Sequence, residues 1–150
     1  MGSKLATALI AGMFFTFFLD FFFFLGIFLN YIQALDIDVY YNILFADHQS
    51  IILFSLGVII FGYLFIFFSS TKVATIIFAI CFMVVNLTLI PSIGKEAGIM
   101  MFEKQNKIIK EGNQTFIGHI VYEGRSTIWF YDDELDKMIE IKINKEIIYE

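Results

Sequence analysis

The chain predicts an α-helical membrane protein, with three transmembrane helices and then a small C-terminal antiparallel β meander, α+β overall. Three observations carry that reading. Residues 5–35 hold a single charged side chain, Asp20. Residues 51–68 and 73–90 hold none. At Pro91 the composition reverses. Before it lie 17 of the 20 Phe and only six charged side chains (Lys4, Asp20, Asp36, Asp38, Asp47 and Lys72), whereas the 60 residues from Pro91 onward carry 19. The 150-residue chain is 59% hydrophobic with a mean hydropathy of +0.78, above the ~45–50% apolar content of an ordinary globular domain.

The expected division is a three-helix transmembrane domain at 1–90, with spans near 5–35, 51–68 and 73–90. A membrane-proximal amphipathic helix at 91–112 follows, then a small β domain at 113–150. At ~1.5 Å per residue the first segment is about 46 Å long, more than a ~30 Å hydrocarbon core. With no turn residues to reverse it, it reads as one tilted or protruding helix. Asn30, Tyr31 and Gln33 suit its emergence at an interface. The run is about twice a signal-peptide core of ~7–15 residues and has no clear A-x-A site, so cleavage is not expected. Segments two and three, joined by Ser69–Lys72, make an antiparallel helical hairpin, because only internally bonded helices satisfy their backbones in lipid. Pro91 stops the third.

Residues 36–50 hold three Asp, two Tyr and no Lys or Arg. They read as an interfacial helix or folded loop. Residues 95–111 read as a helix, with Glu103–Lys107 as a favourable i,i+4 pair and Gly112-Asn113 as its end. From 115 the period becomes two. TFIGHIVY and STIWFY flank a Glu123-Gly124-Arg125 turn, MIEIKI alternates cleanly, and Asn144-Lys145 turns the chain into EIIYE. The result resembles an incomplete SH3-like or OB-like barrel. About 36 residues are too few to fold unaided, so the tail needs cover from its own preceding helix, a second copy or another subunit.

Asp20 is the leading functional candidate. At mid-bilayer a carboxylate costs ~2.5–3.5 kcal/mol, so it serves either as an ion or proton ligand or as an interhelical hydrogen-bond partner. Ala8, Gly12, Thr16 and Asp20 recur every four residues, a small-to-polar stripe that lets another helix approach. Asn86, Thr88 and Ser55 are further interhelical candidates, and Trp129 is an interface candidate. Asp36, Asp38, Asp47 and His48 are weak metal candidates without motif spacing, against the plainer reading of a solvated acidic loop. Asp132-Asp133-Glu134-Leu135-Asp136 lacks the glycine and terminal glutamate of an EF-hand loop. His119 has no visible nucleophile partner, and Cys81 sits in an apolar run.

With net charge −5 and a pI near 4.9, nucleic acid is disfavoured as a partner. No cofactor and no enzymatic activity are expected. The expected role is a small non-enzymatic integral membrane subunit that docks in a larger membrane complex, with the lipid bilayer and other subunits or further copies of itself as partners. The alternative is a homo-oligomeric ion or proton pathway centred on Asp20. The expected location is a bacterial inner membrane. Lys4 and Lys72 favour N-terminus inside and tail outside, while Lys95, Lys104, Lys107 and Lys110 pull the tail inward.

Overall fold

The computed structural model describes residues 2–111, 114–143 and 148–149. Helix α1 (Gly2–Ile27) runs on through a π-helical turn, Phe28–Ile32, and a 3₁₀ turn, Gln33–Leu35. It ends where Asp36 takes a left-handed conformation, φ 52°, and donates its N–H to the carbonyl of Gln33. The short α2 (Tyr41–His48) meets α3 (Ile51–Ile66) at 85°. Helix α4 (Thr71–Asn86) closes with a 3₁₀ turn, Leu87–Leu89, and α5 (Pro91–Phe102) follows. Gly2–Leu35 and Thr71–Leu89 are long and apolar enough to cross a membrane, and α2–α3 makes a third if taken as one bent span.

The small-residue stripe of α1 is used inside the chain. A Cβ on Gly12 would lie 2.0 Å from the carbonyl oxygen of Val58, and one on Gly62 would lie 2.5 Å from that of Ala8. The two backbones therefore touch, as glycine alone permits. Phenylalanines join α1 to both neighbours: Phe15 stacks on Phe65 of α3 at 4.0 Å and meets Phe78 of α4 edge-on at 4.8 Å, and Phe18 stacks on Phe82 of α4 at 5.3 Å. The Thr88 hydroxyl donates to the carbonyl of Val85 in its own turn at 2.8 Å and lies 3.2 Å from that of Phe23 on α1, while Asn30 donates to the carbonyl of Thr88.

These contacts run in order along α1. Ala8 meets Gly62, Gly12 meets Val58, Thr16 meets Gly57, and Asp20 meets Gln49, just before α3 begins. Asp20 is thus level with the N-terminal end of α3. The second apolar segment is also shorter as a helix than the expected 51–68, since α3 stops at Ile66.

The C-terminal sheet has strands β1 (Lys104–Glu111), β2 (Gln114–Glu123), β3 (Thr127–Asp132), β4 (Lys137–Lys142) and β5 (Ile148–Tyr149), ordered β4-β3-β2-β1-β5 with every pairing antiparallel. The helix expected over 95–111 is corrected: α5 spans Pro91–Phe102, and 104–111 is a strand. Pro91 both ends one helix and opens the next, because the first helical position needs no N–H donor. The Glu103–Lys107 helical pair, worth ~0.2–0.5 kcal/mol, gives way to a β1–β2 ladder that buries Ile109 completely. Asn106, at φ 53°, marks the irregularity between Lys104 and Lys107. Gly112-Asn113 and Asn144-Lys145 lie outside the described residues.

The sheet buries both faces. Ile109, Ile120, Ile128, Phe130 and Ile141 form one core within the sheet. Tyr122, Trp129 and Val121 join Tyr31, Ile27, Leu44 and Phe102 in a second core shared with the helices. The cover that so short a tail requires is supplied by its own chain.

Candidate functional site

Helix α2 is where the membrane-type helices meet the sheet. Extended backbone at Tyr40 and again at Gln49 limits α2 to eight residues and sets it across the end of α3. Its inner side buries Leu44 in the shared core. Its last turn carries Asp47 and His48 beneath the β2–β3 turn, which Gly124 N–H closes on the carbonyl of Thr127 at 2.9 Å.

The side chain of Asp47 is only 10% exposed. Arg125, at the tip of the turn and 75% exposed, forms an ion pair with its Oδ1. Beyond that ion pair, neither oxygen of Asp47 has a hydrogen-bond donor. The hydroxyl of Tyr122 and Nε2 of His48 are also buried without a partner. Buried polar atoms are usually hydrogen-bonded, so such a group at one junction is unusual. Burial pushes the Tyr122 phenol up to about 12, helped by the nearby Asp47 charge. Burial also lowers His48, against the opposing pull of Asp47 and Glu123 and together with a smaller push from Lys104. The imidazole packs edge-on against Phe102 at 4.7 Å and Tyr122 at 5.5 Å.

Two openings flank the Asp47–Arg125 pair. One, of about 450 Å³, runs along α2 between Tyr40, Ile43, Tyr122 and Trp129, with Ser126 and Thr127 at its rim. The other, of about 600 Å³, is lined by His48, Phe102, Lys104 and Glu123. Lys104 and Glu123 form an exposed ion pair at 2.6 Å across the second.

No protein-family model, curated protein or solved structure matches the chain.

The remaining candidates are dispersed. Asp20 is half-buried and accepts a 2.9 Å hydrogen bond from Gln49. Thr16 is buried against Gly57, its hydroxyl without a partner. Ala8 and Gly12 lie in the α1–α3 seam. Asn86 donates back to the carbonyl of Phe82 in its own helix rather than across helices. Ser55 is exposed on α3. Trp129 walls the 450 Å³ cleft. Of the four weak metal candidates, Asp36 ends the first helical stretch, while Asp38 and Asp47 line that same cleft. Among the described residues no three His, Cys, Asp or Glu side chains come close enough to share a metal ion.

Sequence reasoning missed Tyr122, Arg125 and Gln49 as site residues, and gave Asn30 only an interfacial place. Arg125 left one clue, as the only arginine of the chain, placed in a predicted turn.

Proposed function

We propose that this chain is a small, non-enzymatic integral membrane subunit. It docks in a larger membrane assembly through its helices and holds its sheet domain at a set height for partners on one side. The observation that carries this reading is the shared core between sheet and helices, in which Tyr31 at the end of the first helix and Val121 on β2 are joined by a 2.9 Å hydrogen bond. A sheet fixed in this way presents its surface in one orientation, which a flexible tether does not. The outward faces of α3 and α4, with Leu56, Ile59 and Ile60, and Ile76, Ile80 and Met83 exposed, offer apolar area for neighbouring helices.

In this reading the bilayer belongs to a bacterial inner membrane. Lys4 and Lys72 lie toward the cytoplasm and the sheet lies outside, following the basic residues nearest the first and second turns. Tryptic accessibility of residues 95–150 in oriented vesicles tests that sidedness.

The assembly is tested by placing a photo-crosslinking residue at Ile59 or Ile80 in the native membrane. Discrete protein adducts of constant mass support the reading. Lipid adducts alone, with a monodisperse lone monomer in mild detergent, overturn it.

The rival reading, an ion or proton pathway of several copies around Asp20, needs a polar file through the bundle. Below Asp20 the α1–α3 seam is filled by Thr16, Gly12 and Ala8 packed on Gly57, Val58 and Gly62, which supports the subunit reading instead. Reconstituted flux dependent on Asp20 would restore the pathway.

A further inference from the structure

The cleft along α2 is short of hydrogen-bond donors. Asp47 is nine-tenths buried, and beyond its ion pair with Arg125 neither of its oxygens accepts a hydrogen bond. Tyr122 is fully buried, lines the same cleft, and its hydroxyl has no partner. Leaving a carboxylate and a phenol in this state is costly unless something supplies the missing bonds. Arg125 supplies the counter-charge to Oδ1 alone. It is three-quarters exposed, so it can swing aside without disturbing the core. Trp129 forms an aromatic wall, and Tyr40, 72% exposed, stands at the mouth.

We propose that this cleft binds a primary ammonium group carried on a phosphodiester, the chemistry of a phosphoethanolamine group. The ammonium brings three N–H donors and a positive charge, matching the two oxygens of Asp47 and the hydroxyl of Tyr122. The face of Trp129 adds a cation–π contact. Arg125, displaced from Asp47, pairs with the phosphodiester at the rim, where Ser126 and Thr127 also lie. The opposite charges of Asp47 and Arg125 thus match a zwitterion whose two ends are a few bonds apart. Helix α2 crosses the end of α3 at 85°, so the cleft opens where the long apolar stretches stop. A lipid headgroup reaches it there, and a soluble phosphoethanolamine compound carries the same chemistry. This inference does not depend on whether the chain assembles with other subunits.

The test uses the single tryptophan, Trp129, which walls the cleft. The full chain in maltoside detergent is titrated with glycerophosphoethanolamine, glycerophosphocholine and glycerophosphate, and Trp129 fluorescence is followed. A saturable change with the ethanolamine compound is expected. The choline compound, whose methyl groups replace every N–H, should bind at least about tenfold more weakly, and glycerophosphate should give no response. Asp47→Asn should weaken binding by about tenfold or more. Arg125→Gln should weaken glycerophosphoethanolamine but not ethanolamine alone, which no longer has to displace the guanidinium from Asp47. Tyr122→Phe, which keeps the ring in the core, should weaken both. Nanodiscs separate the sources. A Trp129 change in phosphatidylethanolamine discs, set against phosphatidylcholine and phosphatidylglycerol discs, assigns the lipid. A response only to the soluble compound assigns the free ligand. Equal responses to ethanolamine and choline forms, or no response in detergent and discs alike, overturn the proposal, and that comparison needs only the unaltered chain.

Discussion

The hydroxyl of Tyr31 donates a 2.9 Å hydrogen bond to the backbone carbonyl of Val121, joining the end of the first helix to the second strand. Val121 lies at the irregularity where the β2–β3 register shifts between Ile120 and Tyr122, and it has no partner in either ladder. The tyrosine therefore completes the sheet where the β2–β3 pairing leaves a gap. Tyr31→Phe keeps the ring in the core but leaves a buried carbonyl unpaired. It should destabilise the sheet by about 1–3 kcal/mol, seen in denaturant unfolding followed through Trp129, with helical circular dichroism preserved.

Gly12 carries the tightest contact of the helix pair. Gly12→Ala places a methyl where the carbonyl oxygen of Val58 stands, only 2.0 Å away, so α3 has to move off α1. A loss of about 1–3 kcal/mol is expected, read as a lower Tm in detergent. Gly2→Ala, with open space around it, should change nothing.

The Asp47–Arg125 pair predicts a coupling. Arg125→Ala leaves the buried carboxylate without its counter-charge and should destabilise the fold. Combining it with Asp47→Asn should restore most of the loss. Because Arg125 is largely exposed, the coupling energy is expected near 1 kcal/mol in a double-mutant cycle.

His48 makes stability depend on acid. Its folded pKa lies below the unfolded value of ~6.5, chiefly because the ring is desolvated. The unfolded chain therefore takes up the proton first as pH falls. Stability is full above the unfolded pKa and declines as pH drops from there to the lower folded value, after which this contribution levels off. Thermal unfolding between pH 7.5 and 5 should show that decline in the parent chain and a smaller one in His48→Phe.

Asp20 distinguishes the readings of the helical region. Asp20→Asn can still accept from Gln49, so a structural role predicts a nearly unchanged Tm and unchanged crosslinking. Asp20→Leu removes the acceptor and should free the α2–α3 bend, seen as faster proteolysis near Gln49. If Asp20→Asn preserves Tm but abolishes reconstituted flux, an ion role replaces the structural one.

Reading the chain alone reached the helices and the strands from 115 to 143, because long uncharged runs and period-two alternation are local properties that burial imposes on any fold. The short strand Lys104–Glu111 was not legible. Its KQNKIIKE has no clean alternation, and a helical ion pair offered a local alternative that only pairing with β2 outweighs. The candidate site shows the same divide. Asp47 and His48 stood out as an acid and a histidine in a loop, yet nothing local tied them to Tyr122 and Arg125 of a hairpin far along the chain.

Composition by itself determined which segments are apolar enough for lipid, since that depends on side-chain transfer energies and length. Tertiary structure alone decided that Gly12 of α1 serves α3, that Asp20 pairs with Gln49 just before α3, and that three buried polar side chains share one junction. Those outcomes arise from contacts between distant segments, and the free energy that selects them appears only when both sides of each contact are present.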